Sequence, residues 1–188
     1  MKKALIIHGW DGNPTEPLHQ YLRNELESLG YKVIIPEMPN PDTPVIKDWV
    51  DKIDEVFDSE VDLVIGHSIG CQAILRFIEK LDSDVFISKI ILIAPWMKLD
   101  MNTIEEEGED ATKIAQPWME TPIDFNKIKR SVKKVVTIFS DNDTYVPLDQ
   151  IDFFKEKLEA TIYTEHNQGH FTVSDGFEKL QTSLKDLI

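Results

Sequence analysis

Six short runs rich in Val and Ile, separated by stretches with helical periodicity, constrain the fold of this chain most strongly. The runs cover residues 4–7, 32–36, 61–65, 87–94, 132–139 and 160–163. Most do not alternate apolar with polar residues, which is typical of strands buried on both faces of a parallel sheet. The alternation of strand and helix predicts an α/β architecture with a mostly parallel central sheet of about six strands, flanked by helices on both faces.

The segments between the runs place apolar residues at helical spacing. Gly30 is expected to end the first helix, and Thr43 and Pro44 are expected to be the N-cap and first residue of the second. A last helix is predicted to begin near Ser174 and to continue to the C-terminus. The apolar stripes lie within residues 18–29, 46–57, 69–81, 151–158 and 177–187.

Residues 95–126 interrupt this alternation, because they contain no strong strand pattern. They are predicted to form short helices and loops over one edge of the sheet. Ligands of parallel sheets bind beyond the carboxyl ends of the strands. Two interpretations stay open for this segment: a solvated acidic loop around residues 105–110, or a wall of a substrate pocket that includes Trp96 and Trp118.

Length and charge restrict the class of protein. The 188 residues suit a single domain spanning residues 1–188, and a formal net charge of −14 opposes binding to nucleic acid and to anionic membranes. The apolar run after Lys2 and Lys3 ends at His8, which is too short for a signal peptide. The single cysteine, Cys71, allows no intramolecular disulfide and is expected to be a packing residue. We therefore expect a cytoplasmic protein, either a monomer or a small homo-oligomer.

The most specific motif is Gly66-His67-Ser68-Ile69-Gly70, which matches Gly-x-Ser-x-Gly between a predicted strand and a predicted helix. In this motif the serine occupies a strained turn, and side chains two residues away on either side would collide with neighbouring elements. Ser68 is therefore the candidate nucleophile.

A serine hydroxyl needs a general base, and the base needs a partner that fixes its tautomer. Of the five histidines, His8 and His67 adjoin other motifs and are expected to have a geometric role. His170 follows Gly169 in a loop after the last strand run and is the preferred base, with His166 as its competitor.

The acid that orients the base should follow a strand between the nucleophile and the histidine. The run at 132–139 is followed by Asp141 and Asp143. Asp143 is the preferred acid, and Asp141, which could instead cap the turn, is the alternative. The resulting order of Ser68, Asp143 and His170 is that of α/β-hydrolases.

Two backbone N–H groups are expected to stabilise a developing oxyanion. Ile69 follows the nucleophile at a helix N-terminus, and Trp10 lies in the loop His8-Gly9-Trp10 after the first strand. The aromatic side chains expected to line the substrate pocket are His8, Trp10, Trp96, Trp118 and Phe171. No cofactor fingerprint and no complete metal-ligand set is found, so neither a cofactor nor a metal is expected.

The chain resembles the small serine hydrolases typified by retinoblastoma-binding protein 9 and by bacterial relatives of the YdeN type. The features that support the resemblance are the short length, the early His-Gly loop, the Gly-His-Ser-Ile-Gly motif, the Asp143–Pro147 segment and Gly169-His170. The resemblance implies an α/β-hydrolase core without a large lid, a triad of Ser68, Asp143 and His170, and hydrolase activity. The Leu-x-Cys-x-Glu sequence of the human-type member does not occur around Cys71, so its retinoblastoma binding is not implied.

The predicted activity is cleavage of an ester, or an amide, of a small molecule through an acyl-enzyme on Ser68, with carboxylesterase chemistry preferred. One alternative is an amidase or peptidase that uses the same triad. Another is a non-catalytic protein-binding module on a hydrolase scaffold, which is expected to lack at least one triad residue.

Overall fold

Parallel strand pairing organises residues 2–188, the part of the chain that the structure, a computed structural model, describes. The elements in chain order are β1 (Lys2–Ile7), α1 (Pro17–Ser28), β2 (Tyr31–Ile34), α2 (Ile46–Val56), β3 (Val61–His67), α3 (Ile69–Ile78), β4 (Ile87–Ile93), α4 (Met101–Glu106), α5 (Glu109–Glu120), α6 (Phe125–Ser131), β5 (Val132–Ser140), α7 (Gln150–Leu158), β6 (Thr161–Glu165) and α8 (Leu184–Leu187). Each of the six predicted strand runs overlaps one observed strand.

The sheet has the strand order β2-β1-β3-β4-β5-β6, and every neighbouring pair is parallel. The chain moves outward from β1 to β2, then returns past β1 and adds the remaining strands in the opposite direction. Parallel strands are joined by right-handed crossovers, so a connection that runs in one direction along the sheet and a connection that runs in the other place their helices on opposite faces. The reversal lies between β1 and β3, where a crevice opens beyond the carboxyl ends of the strands.

The core lies on both faces of the central strands, whose apolar side chains are almost completely buried. On one face α2 packs against α3, and α6 packs against α3 and α7. On the other face α1 contacts the C-terminal segment, where the rings of Tyr21 and Phe177 lie 6.1 Å apart. Within the described residues, no helix is long and apolar enough to span a membrane.

The segment 95–126 forms α4, α5 and the first residues of α6, so the expected insertion of short helices between two strands is confirmed. The predicted start of the second helix is wrong. Helix α2 begins at Ile46 after Val45, with no side-chain capping bond. Thr43 closes a turn through its N–H to the Asn40 carbonyl, and Pro44 follows in irregular backbone before the helix.

The predicted long C-terminal helix is also wrong, because only Leu184–Leu187 is helical. Phe177, Leu180, Leu184 and Leu187 are nevertheless all buried. The N–H groups of Gln181 and Thr182 donate to the buried carboxylate of Glu165, at 3.1 and 3.0 Å, instead of to helical carbonyls. The apolar spacing therefore predicted correctly which side chains are buried. The backbone around Gln181 and Thr182 is not helical, because its N–H groups bond to Glu165.

Candidate active site

Ser68 lies on the sharp turn that joins β3 to α3, and its backbone has φ 52° and ψ −123°, a region that non-glycine residues rarely occupy. A Cβ atom on Gly66 would lie 2.8 Å from the Cys71 nitrogen, and one on Gly70 would lie 2.5 Å from the His8 carbonyl oxygen. Since these neighbours are backbone atoms, neither position accommodates a side chain. The glycines therefore allow the close packing that presents Ser68 at the strand end.

A continuous hydrogen-bonded series joins Ser68 to the loops after β5 and β6. His170 Nε2 lies 2.9 Å from Ser68 Oγ, and His170 Nδ1 lies 2.8 Å from Asp143 Oδ2. Asp143 is almost fully buried, with a side chain 2% exposed, and His170 is 12% exposed. A carboxylate can only accept, so Nδ1 carries the proton and Nε2 is left to accept the hydroxyl proton of Ser68.

The loop after β5 fixes Asp143 and separates it from Asp141. Asp143 Oδ1 accepts the N–H groups of Tyr145 and Val146, at 2.9 and 3.1 Å, which leaves Oδ2 directed at the His170 ring. Asp141 instead accepts from His166 Nδ1 and from the Asn167 N–H. These bonds lower the pKa of Asp141, that from Asn167 contributing most. The two alternatives from the sequence, Asp141 and His166, thus pair with each other.

The loop after β1 lies directly against the nucleophile. The position of a Cβ on Gly9 is 3.4 Å from Ser68 Cβ, and Trp10 follows at the crevice. The Trp10 indole is fixed by a 2.9 Å hydrogen bond from Nε1 to the Asp42 carbonyl. Ile69 is the first residue of α3, where helix N–H groups are free to bind an anion. The predicted oxyanion donors are therefore on the two segments that border Ser68.

A cavity of about 370 Å³ opens above Ser68 and His170. Trp10 and Trp96 line it, as the sequence suggested, and the Trp96 Nε1 donates to Ser68 Oγ at 3.3 Å. Its wall also contains residues that sequence reasoning did not place there: Asp11, Asp42, His67, Leu99, Ile104, Glu107, Ala111, Ile114 and Tyr145. Within the described chain, no lysine or arginine lines this cavity.

The missed apolar wall comes from the α4–α5 insertion, which is held against the loop that carries Asp143. The Asp100 N–H donates to the Tyr145 carbonyl at 2.8 Å, and the Tyr145 hydroxyl donates to Glu107 at 2.8 Å. The bond to Glu107 is the main reason that the pKa of Tyr145 rises to about 12. The apolar spacing of Ile104, Ala111 and Ile114 could have indicated this wall, but sequence alone did not show which way it faces.

Three aromatic residues predicted to line the pocket do not reach it. Trp118 is completely buried, and its Nε1 donates to the Pro44 carbonyl at 3.0 Å, between α5 and the start of α2. Phe171 is 1% exposed and turns away at φ 61° to pack near Phe177, with the ring centroids 6.2 Å apart. Trp118 was proposed as an aromatic residue of the 95–126 insertion and Phe171 as the neighbour of His170, and tertiary packing directs both into the core.

His8 is the third predicted pocket residue that the structure places elsewhere. Its side chain is 1% exposed, Nδ1 donates to the Gly9 carbonyl at 2.9 Å, and Nε2 accepts the Met38 N–H at 3.0 Å. Its ring begins a row with His19 and His67, in which neighbouring centroids lie 6.1 and 6.0 Å apart. Burial lowers the pKa of all three, to about 4 for His19. They form a neutral imidazole row behind the serine.

Other reactive groups do not extend the site. Cys71 is buried, and burial raises the pKa of its thiol well above the ordinary value, which fits its expected role in packing. Within residues 2–188, no three His, Cys, Asp or Glu side chains are grouped closely enough to ligate a metal ion.

Comparison with known proteins agrees with this geometry. The chain is 30% identical over 181 residues to YdeN of Bacillus subtilis (strain 168), spanning 95% of this chain and 90% of YdeN. It is 25% identical over 191 residues to the serine hydrolase RBBP9 of Rattus norvegicus, spanning 99% of this chain and 95% of RBBP9.

Solved structures share the fold. The crystal structure of the B. subtilis ydeN gene product superimposes with a TM-score of 0.80 and 29% identity, over 96% of this chain and 93% of that one. Est1E from Butyrivibrio proteoclasticus, with ferulic acid bound, has a TM-score of 0.69 at 15% identity, over 92% and 82% of the two chains. The predicted α/β-hydrolase fold is confirmed. A sequence model described as serine hydrolase matches residues 4–187, and the chain therefore belongs to the serine hydrolase family.

Proposed function

We propose that this protein hydrolyses esters of small, apolar acyl groups through an acyl-enzyme on Ser68. The observation that supports this most directly is the series Asp143–His170–Ser68, with hydrogen bonds of 2.8 and 2.9 Å, at the floor of a cavity. A hydroxyl in this arrangement can lose its proton to the imidazole as it attacks, and the carboxylate stabilises the imidazolium that forms.

In the acylation half, Ser68 Oγ bonds to the substrate carbonyl carbon and its proton passes to His170 Nε2. The oxyanion is stabilised by the backbone N–H groups of Trp10 and Ile69. When the tetrahedral intermediate collapses, His170 donates that proton to the departing alcohol. In the second half His170 removes a proton from water, the hydroxide bonds to the acyl carbon, and the proton returns to Ser68 Oγ as the acid leaves.

The residues that line the cavity favour a substrate with an apolar, uncharged acyl group. Leu99, Ile104 and Ile114 provide an aliphatic wall, and the acidic residues Asp11, Asp42 and Glu107 also line the cavity. A substrate carboxylate or phosphate would meet negative charge without a lysine or arginine among the described lining residues.

A fluorophosphonate probe tests the nucleophile. The wild-type protein and Ser59→Ala, which removes an exposed serine in the turn before β3, should be labelled, whereas Ser68→Ala should not. Equal labelling of Ser68→Ala would refute the assignment, and an unlabelled wild-type protein would favour a non-catalytic binding protein.

Paired substrates test the bond type. A p-nitrophenyl ester and a p-nitroanilide with the same acyl group differ only in the leaving group. The ester should be hydrolysed faster by a ratio that exceeds the ratio of their uncatalysed reactivities. A ratio below the uncatalysed one would assign the amidase or peptidase alternative.

A further inference from the structure

His170 lies in a loop, yet its ring must be held within hydrogen-bonding distance of two other loops. The structure shows how the backbone of His170 is held. Its N–H donates to the carboxylate of Asp175 at 2.9 Å, and its carbonyl oxygen lies 2.9 Å from His67 Nε2. The backbone of the general base is therefore fixed on both sides, and one of the two anchors is the residue immediately before the nucleophile.

The protonation state of His67 follows from this contact. A carbonyl oxygen can only accept, so Nε2 of His67 carries the proton. Its Nδ1 has no hydrogen-bond partner among the described residues, and the side chain is buried, with the residue 5% exposed. Burial, and then the neighbouring His170, hold the pKa of His67 well below its ordinary value. A neutral His67 keeps its donor and places no positive charge beside His170 when that ring is protonated.

The position of His67 makes the contact relevant to catalysis. It is the last residue of β3, so its backbone continues directly into the strained turn at Ser68. Its ring also packs against the His170 ring, with the centroids 5.1 Å apart. One rigid residue thus joins the turn that bears the nucleophile to the loop that bears the base, 102 residues later in the chain.

We propose that His67 is a positioning residue, whose Nε2–H fixes the His170 carbonyl and thereby sets the distance between Ser68 Oγ and His170 Nε2. The inference rests on the proposed function, because it requires that His170 accepts the Ser68 proton. It does not require His67 to touch the substrate or to exchange a proton.

Three substitutions separate this role from simple packing. His67→Phe keeps a ring of similar size but removes the donor. His67→Gln places an amide N–H near the position of Nε2, whereas His67→Asn places it near the position of Nδ1, out of reach of the His170 carbonyl. Gln and Asn form a matched pair, since both replace the ring with an amide and only one restores the bond.

The experiment measures kcat and KM of the full chain on a neutral p-nitrophenyl ester, with thermal unfolding to show that each variant is folded. Misplacement of a catalytic group by about 1 Å can cost about 100-fold, so His67→Phe and His67→Asn should lower kcat by about 10- to 100-fold. Their KM should change less than about threefold, because His67 lines the cavity but its one hydrogen bond goes to the His170 carbonyl and not to the substrate. His67→Gln should recover most of the lost kcat.

Each outcome decides the proposal. If folded His67→Phe retains kcat within twofold of wild type, or if Gln and Asn lose kcat equally, His67 is a packing residue and the proposal is overturned. If His67→Phe does not fold, the Gln and Asn variants alone decide, by the same comparison. A wild-type protein that neither hydrolyses the ester nor reacts with a fluorophosphonate overturns the proposed function and this inference together. Failure of the variants alone leaves the proposed function intact.

Discussion

Acidification should destabilise the fold through the histidines buried behind Ser68, and His19 allows the effect to be calculated. Its side chain is completely buried, and burial lowers its pKa from 6.5 to about 4. Between these two pH values the unfolded chain binds a proton that the folded chain does not. The free energy of unfolding should therefore be unaffected by this group above about pH 6.5, fall as the pH decreases, and stop falling below about pH 4.

The magnitude follows from the separation of the two pKa values. For one such histidine, roughly 2 kcal/mol of unfolding free energy is lost between pH 7 and pH 5, and roughly 3 kcal/mol when the loss is complete. The pKa values of His8 and His67 are also lowered, chiefly by burial, so their contributions have the same sign. The loss from His19 alone is a substantial fraction of the stability of a typical domain, about 5–15 kcal/mol.

The assay measures urea unfolding of wild type and His19→Asn at a series of pH values, with tryptophan fluorescence as the signal. The asparagine amide can keep the hydrogen bond that His19 Nδ1 makes to the Asn13 carbonyl, 3.0 Å away, but it does not titrate. A lower starting stability of the variant does not affect the test, since the change in unfolding free energy with pH is compared. Between pH 7 and pH 5, wild type should lose roughly 2 kcal/mol more than the variant.

The same pH dependence for both proteins would refute this reasoning, and the contact that opposes the effect of burial is the one between His19 and Glu16. The Glu16 carboxylate lies 3.3 Å from His19 Nδ1, and an ion pair there would favour the protonated ring. Burial opposes that pair and raises the pKa of Glu16 as well. If NMR shows His19 titrating near pH 6.5, the ion pair outweighs burial.

Three further predictions concern the candidate site. Asp143→Asn should lower kcat by about 10³- to 10⁴-fold, because the tautomer of His170 is no longer fixed, whereas Asp141→Asn should change kcat less than tenfold. If steady-state kinetics show the larger loss for Asp141→Asn, Asp141 is the acid. Gly70→Ala should destabilise the protein by at least about 1–3 kcal/mol in urea unfolding, since its Cβ would lie 2.5 and 2.6 Å from two carbonyl oxygens; unchanged stability would show that the turn can relax. An ester whose acyl chain ends in a carboxylate should have a kcat/KM at least about tenfold below that of its neutral counterpart at low salt, with the difference reduced by added salt; equal values would show that the acidic wall does not select substrates.

The central sheet and the serine turn were predictable because short-range constraints define them. Each apolar run predicted a strand, and Gly66 is required by contacts with Ile74 and Cys71 in the same strand–turn–helix unit. Gly70 was recognised from the Gly-x-Ser-x-Gly motif, although the atoms that exclude a side chain there are the Ile7 and His8 carbonyls, which tertiary packing brings close. The C-terminal segment was not predictable in the same way. Its apolar spacing suits a helix, but the carboxylate of Glu165 accepts the N–H groups of Gln181 and Thr182. A side chain from β6, distant in sequence, decides that backbone.

The sequence by itself determined the strands, the strained turn at Ser68 and the small set of residues from which a base and an acid could come. Only the tertiary structure decided that Asp143 bonds to His170 while Asp141 bonds to His166. It also decided that Trp118 packs in the core while Leu99 and Ile104 line the cavity. The physical reason is that strand patterns and turn motifs can be read from neighbouring residues in the chain. These pairings depend instead on the strand order of the parallel sheet and on the loops that this order brings to one edge.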